Sequence, residues 1–156
     1  MSTVKTLSWG VKQSFRAYVD GAGGKTQTSD GAQTAADGGF VFAASPDSTL
    51  AVDAAGALTG RGTFTGVVHF EAHGGMLKVW MVDPILEITD AGAVLTVADH
   101  PTRTYRLEAA RLELPALAAE PGEITLPAAL LMFGSQWLGG NYPAGTALDP
   151  VRLGVG

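Results

Sequence analysis

With 156 residues, 46% of them hydrophobic and 16% charged, the chain is long enough and apolar enough to bury one core without metals or cross-links. Its net charge of -5, a pI near 5.0 and the lack of any clustered Lys/Arg run argue against nucleic acids and anionic membrane surfaces as partners. The absence of cysteine removes disulfides, thiolate metal sites, covalent haem attachment through CxxCH and cysteine nucleophiles together.

No charged n-region with an apolar h-region opens the chain, and no apolar run approaches the roughly 18 residues of a membrane span. Neither a signal peptide nor a membrane-spanning segment is therefore predicted, and residues 1–156 are expected to form a single domain. In LSWGVKQSFRAYV, Leu7, Val11, Phe15 and Tyr18 recur at helical spacing, with Ser14 beside them. This predicts a helix over Leu7–Val19, capped by Ser8 and ended by Gly21, Gly23 and Gly24. Tyr18 then falls in its last turn, a phenol on an apolar stripe.

The remainder reads as β. Gly21 to Gly39 is small, polar and aperiodic, as in a long loop or weak edge strands. Short alternating runs follow at Phe40–Ala43, Thr49–Val52 and Leu58–Phe64. In GVVHFEAHGGMLKVWMVDP two β-rich runs flank Gly74-Gly75, which suits a two-residue hairpin turn. That register sets His73 against Met76, Glu71 against Lys78 and His69 against Trp80, and turns Val68, Phe70, Ala72, Leu77, Val79 and Met81 to the core. Asp83-Pro84 is expected to stop the strand, and a second hairpin turns at Asp90–Gly92. TYRLEAARLEL continues the meander, with a helix over Leu107–Leu114 as the alternative. Pro115 to Pro121 reads as a linker-like turn, Ala128–Phe133 as a strand or irregular segment, and Val151–Val155 as a last strand. The fold class is mainly β, an antiparallel sandwich or barrel-like meander with one short N-terminal helix.

Little in the sequence resembles an enzyme. There is no GxSxG elbow, and GAGGK lacks the spacing of a phosphate-binding loop. His69 and His73 share one face of a strand but stand about 13 Å apart along it, too far for one mononuclear metal. His69 reads as a cross-strand partner of Trp80, and His100, before Pro101, as a solvated turn residue.

Three blocks, SWGVKQSFRAYV, FTGVVHFEAHGGMLKVWMVDPILEI and NYPAGTALDPV, occur in that order. Together they resemble the HtaA-type haem-binding domain of actinobacterial cell-surface haem-uptake proteins, over roughly Leu7 to Leu153. In that family the tyrosine ending the first helix binds haem iron and a histidine at the HGG turn supports it. The resemblance implies Tyr18 as axial ligand, His73 as its hydrogen-bond partner and Tyr142 as a further contributor, with Tyr105 a weaker match. It also implies a cell-surface or extracellular location, whereas the missing export signal points to the cytoplasm.

Chemistry supports the same residues. A phenolate is a hard anionic donor that favours ferric iron, and a free phenol ionises only near pH 10, so ligation is helped by a donor to its oxygen. Met76, beside the turn, is a candidate to cover a porphyrin face, and Arg16, Lys25 and Arg61 are candidate partners for its propionates. Trp9, Phe15, Phe133 and Trp137 are candidate pocket walls. The expectation is non-covalent binding of one ferric haem b for capture, transfer or storage, with no enzymatic activity. Candidate partners besides haem are haem donor or acceptor proteins and a second copy of the chain. The competing readings are a cofactor-free interaction domain and a haem-dependent peroxidase or haem-degrading enzyme.

Overall fold

The computed structural model describes residues 2–115 and 122–156, so all of the expected Pro115–Pro121 turn except Pro115 lies outside the described residues. The chain opens with β1 (Ser2–Trp9), α1 (Gln13–Gly21), β2 (Lys25–Ser29), β3 (Gln33–Thr34) and β4 (Phe40–Ala44). Two short strands, β5 (Ala51–Val52) and β6 (Leu58–Thr59), precede β7 (Arg61–Thr65) and β8 (Val67–Ala72). The second half comprises β9 (Leu77–Thr89), β10 (Gly92–Ala98), β11 (Arg106–Leu112), β12 (Glu123–Leu130), α2 (Met132–Trp137) and β13 (Ala147–Val155).

Eight antiparallel strands close on themselves in the order β1-β4-β7-β9-β10-β11-β12-β13, and β13 returns to β1. Closure leaves none of these eight as a free edge, so the barrel-like alternative holds. β8 and β2 form a flap beyond the ring. The first half of β9 pairs with β8 (Val67↔Val82 to Ala72↔Leu77), and its second half pairs with β7 (Arg61↔Glu87 to Thr63↔Ile85). The interior is filled by Leu7, Phe42, Leu86, Leu95, Leu112 and Leu126, all fully buried. Phe70 connects flap and barrel, edge-on to Phe15 at 5.2 Å and to Phe40 at 5.6 Å.

The opening helix is shorter than expected. Leu7 and Trp9 alternate with half-buried Ser8 along β1, and the helix begins at Gln13. Leu7, Trp9 and Val11 satisfy a period of two as well as Leu7, Val11 and Phe15 satisfy a helical one, and pairing with β4 and β13 decides for the strand. Buried Val11, at φ 65, makes the corner between them. Ser8 therefore caps nothing. Lys12 is the N-cap and its side chain caps nothing, reaching instead to Ala147 O at 2.9 Å; the Gln13 N–H donates to Asp149 Oδ1 at 3.1 Å, so β13 caps the helix from a distance.

Four further expectations are corrected. β9 does not stop at Asp83-Pro84. Asp83 sits at φ 45, its N–H donates to Gly66 O, and this kink lies where β9 changes partner from β8 to β7, so the missing N–H of Pro84 breaks no ladder bond. The helix alternative over Leu107–Leu114 gives way to β11, paired on both sides. Met132–Trp137 is a second helix instead of the end of a strand or irregular segment. The turn at Gly74-Gly75 spans four residues, His73 to Met76, and the Met76 N–H donates to His73 O at 3.2 Å.

The predicted hairpin register itself is observed from Val68↔Met81 to Ala72↔Leu77.

Candidate functional site

Tyr18 and His73 meet although 55 residues separate them, and the Tyr18 hydroxyl is in hydrogen-bond contact with His73 Nε2. The ring centroids are 5.6 Å apart and the planes inclined at 55°. Two local structures create the meeting. α1 buries Phe15 and Val19, which rotates Tyr18 to the edge of the buried stripe and leaves it 44% exposed instead of placing it in the core. At its exit the Gly24 N–H donates to Val19 O at 2.8 Å, and a Cβ on Gly24 would lie 2.3 Å from Glu71 O. Only glycine lets the helix exit press this close to β8. On the other side, His73, Gly74 and Gly75 all have positive φ (55, 65 and 94), so the hairpin curls its imidazole back over the end of α1.

Together Tyr18, His73, Met76, Leu77 and Asn141 line an open hollow of about 250 Å³. Met76 is 92% exposed, a flexible thioether standing in water at its rim. Asn141 was not singled out by the sequence. It precedes Tyr142 in the loop after α2, and its only signal was membership of the NYPAGT block.

The remaining expected residues are placed elsewhere. Tyr142 does not line this hollow; its ring packs edge-on to Phe15 at 6.3 Å, and its carbonyl accepts from Ser135 Oγ. Arg16 points away from Tyr18, donating to Asp149 Oδ2 and Gly10 O at 2.6 Å each. Its two-residue offset, about 200° around a helix, explains the divergence. Of the expected walls, Trp9 and Phe15 are core residues, Trp137 stacks on Trp9 at 6.4 Å, and Phe133 is half exposed. Lys25 sits opposite Glu71 in the flap, and Arg61 is ion-paired with Glu87 at 2.9 Å.

The other histidines form a separate feature. Trp80 is sandwiched between His69 at 3.7 Å (11° between planes) and His100 at 3.5 Å (4°). The expected His69–Trp80 pair is thus present, while His100, though exposed, is stacked instead of freely solvated. His69 Nε2 is buried without a hydrogen bond among the described residues, and loss of hydration lowers the pKa of its imidazole. No group of three or more His, Cys, Asp or Glu side chains suited to a metal ion occurs among the described residues, and no described helix is long and apolar enough to cross a membrane.

A closed eight-stranded barrel, with a helix and a flap hairpin that present a phenol and an imidazole to solvent in one hollow, defines a β-barrel protein with a surface phenol–imidazole site. The HtaA family model matches residues 4–154, and the chain belongs to that family. Similar solved structures come from Corynebacterium glutamicum. The C-terminal domain of HtaA is 27% identical, with 100% of both chains covered and a TM-score of 0.74. The N-terminal domain of HtaA is 26% identical, covering 100% of this chain and 99% of its own, with a TM-score of 0.75. The haem-binding protein HtaB shares the fold at 21% identity, over 99% of this chain and 93% of its own, with a TM-score of 0.71. No match is found among curated proteins.

Proposed function

We propose that this protein binds one ferric b-type haem at the Tyr18–His73 hollow, with Tyr18 as the axial ligand, and that it serves haem capture, transfer or storage. The observation that carries the reading is the contact between the Tyr18 hydroxyl and His73 Nε2 on an open surface. Membership of the HtaA family and the fold shared with haem-binding HtaB support it. The donor set fits: an accessible phenol oxygen is a hard ligand for Fe(III), and a chain without cysteine holds haem by coordination and packing, not by thioether bonds.

The residues then divide the work. To hold the iron, Tyr18 would have to give up its hydroxyl proton, and His73 Nε2, in contact with that oxygen, is the group placed to take it and to donate an N–H bond back to the phenolate. This orients the phenolate and keeps it from rotating into water. Leu77 gives the hollow an apolar floor and Met76 a movable cover, while Asn141 supplies an amide at the rim. Tyr142 supports the site by packing behind Phe15, one helical turn before Tyr18. Arg16 is assigned to the helix clamp instead of to a propionate.

Titration with hemin, followed by absorption, tests this. The wild type is expected to give a Soret band with high-spin ferric charge-transfer bands at one equivalent. Tyr18→Ala should abolish these features, and His73→Ala should shift them and speed haem loss. Wild-type spectra and retention in both variants would show the site to be elsewhere.

A further inference from the structure

On the opposite face of β9 from the Tyr18 hollow lies a larger one, of about 440 Å³, between β9, β10, β11 and α2. Consecutive strand residues point to opposite faces, so Leu77 serves the first hollow while Lys78 and Trp80 serve the second. Its walls are flat and apolar: Trp80 braced between His69 and His100, Trp137, and the aliphatic side chains of Val97 and Leu107. Trp137 is fixed there by its indole N–H, which donates to Trp80 O at 2.9 Å. A volume in the range of small-ligand sites and a rigid aromatic wall suit a planar ring.

The charges at this hollow are unusual. Arg106 lines it, and its guanidinium is held by neutral oxygens alone: Nε donates to Thr96 Oγ1 at 2.9 Å, and Nη2 donates to Thr96 O at 2.9 Å and Asp83 O at 2.6 Å. The Asp83 carboxylate accepts from the Gly66 N–H and faces Arg103 at 3.6 Å. Lys78 also lines the hollow. Its cross-strand neighbour Glu71 comes no closer than 4 Å to the ammonium: Oε1 lies beside the Lys78 side chain at Gly75, and Oε2 lies 4.0 Å from His69 Nε2. The one carboxylate at the hollow, Asp99, is engaged by the Thr102 hydroxyl and by the N–H groups of Thr104 and Tyr105. Two cations that make no carboxylate ion pair within 4 Å among the described residues, although Asp83 and Glu87 attract Arg106 from farther off, thus border an aromatic slot, which is the chemistry that holds an anionic group on a flat ring.

We propose that this hollow is a second binding site, for a planar aromatic carboxylate, in which the ring lies against His100, itself backed by Trp80, and Lys78 and Arg106 hold the carboxylate. The proposal is independent of haem ligation by Tyr18.

The test is titration with 2-naphthoate followed by the indole N–H resonances of Trp80 and Trp137. We expect saturable shifts of both, with Lys78→Gln and Arg106→Gln each weakening binding about tenfold and cyclohexanecarboxylate binding at least about tenfold more weakly than the flat acid. Lys78 is exposed, so its variant remains folded even where Arg106→Gln does not. Tyr18→Phe should leave naphthoate binding as it is while removing the hemin spectrum, so failure here and failure of the haem reading are separable. Metal-free protoporphyrin IX that displaces naphthoate identifies a tetrapyrrole as the ligand; protoporphyrin that does not displace it leaves smaller aromatic acids. Absence of saturable shifts at millimolar 2-naphthoate, equal affinity in Lys78→Gln and wild type, or loss of binding in Tyr18→Phe overturns the proposal.

Discussion

Replacing Asp149 with alanine tests how the barrel holds α1, and through it Tyr18, in place. Asp149 Oδ1 accepts the Gln13 N–H at 3.1 Å and Oδ2 accepts from Arg16 Nη1 at 2.6 Å, with side-chain exposures of 29% for the aspartate and 17% for the arginine. Loss of the remote cap is worth about 1 kcal/mol. Breaking a fully buried pair costs roughly 3–5 kcal/mol; partial exposure, and the bond Arg16 keeps to Gly10 O at 2.6 Å, reduce that to about 2 kcal/mol here. Urea denaturation should therefore show a loss of about 3 kcal/mol with an unchanged m-value. Asp149→Asn, which keeps an oxygen for the cap, should lose about 2 kcal/mol or less. The loosened helix should also release hemin faster without a change in its spectral type. A stability within about 0.5 kcal/mol of wild type would refute the clamp.

Gly24→Ala forces a Cβ to within 2.3 Å of the Glu71 carbonyl, so it should destabilise by about 1–3 kcal/mol and weaken hemin retention by separating Tyr18 from His73, as denaturation and haem-transfer kinetics will show. Tyr18→Phe removes a hydroxyl whose one partner among the described residues is at the surface, so its stability should lie within about 0.5 kcal/mol of wild type even though hemin binding collapses. His73→Ala should weaken hemin retention by about 10- to 100-fold, the range for a supporting partner of a metal ligand, as measured by transfer to apomyoglobin. The pKa of His69 is lowered from 6.5 by burial, so the unfolded chain binds more protons, and folding stability should fall as pH drops below about 6.5. His69→Leu should flatten that fall between about pH 6.5 and 5 in denaturation curves taken across the range.

The hairpin was readable because two glycines and an unbroken alternation on both sides fix a register in which a slip of one residue would expose Phe70 and Met81. The same signal placed His73 at the tip. What the sequence could not supply was the phase at Leu7–Trp9, where strand and helix bury the same residues and only the partners β4 and β13 distinguish them. The second helix was hidden by Gly134, which reads as a breaker but in the fold allows the helix to rest on Ala109 O, where a Cβ would lie 2.2 Å away. The pairing of Tyr18 with His73 came from family likeness, since contacts across 55 residues leave no local pattern. For the same reason neither the stacking of His100 on the expected His69–Trp80 pair nor the position of Asn141 could be read in advance.

The most direct test of Tyr18 as the iron ligand is a crystal structure of the protein saturated with hemin. Iron is expected to be bonded to the Tyr18 phenolate oxygen, with His73 Nε2 in hydrogen-bond contact with that oxygen and the porphyrin seated over Leu77. Iron bonded to His100, Met76 or any other side chain, with the Tyr18 oxygen turned to solvent, would contradict it.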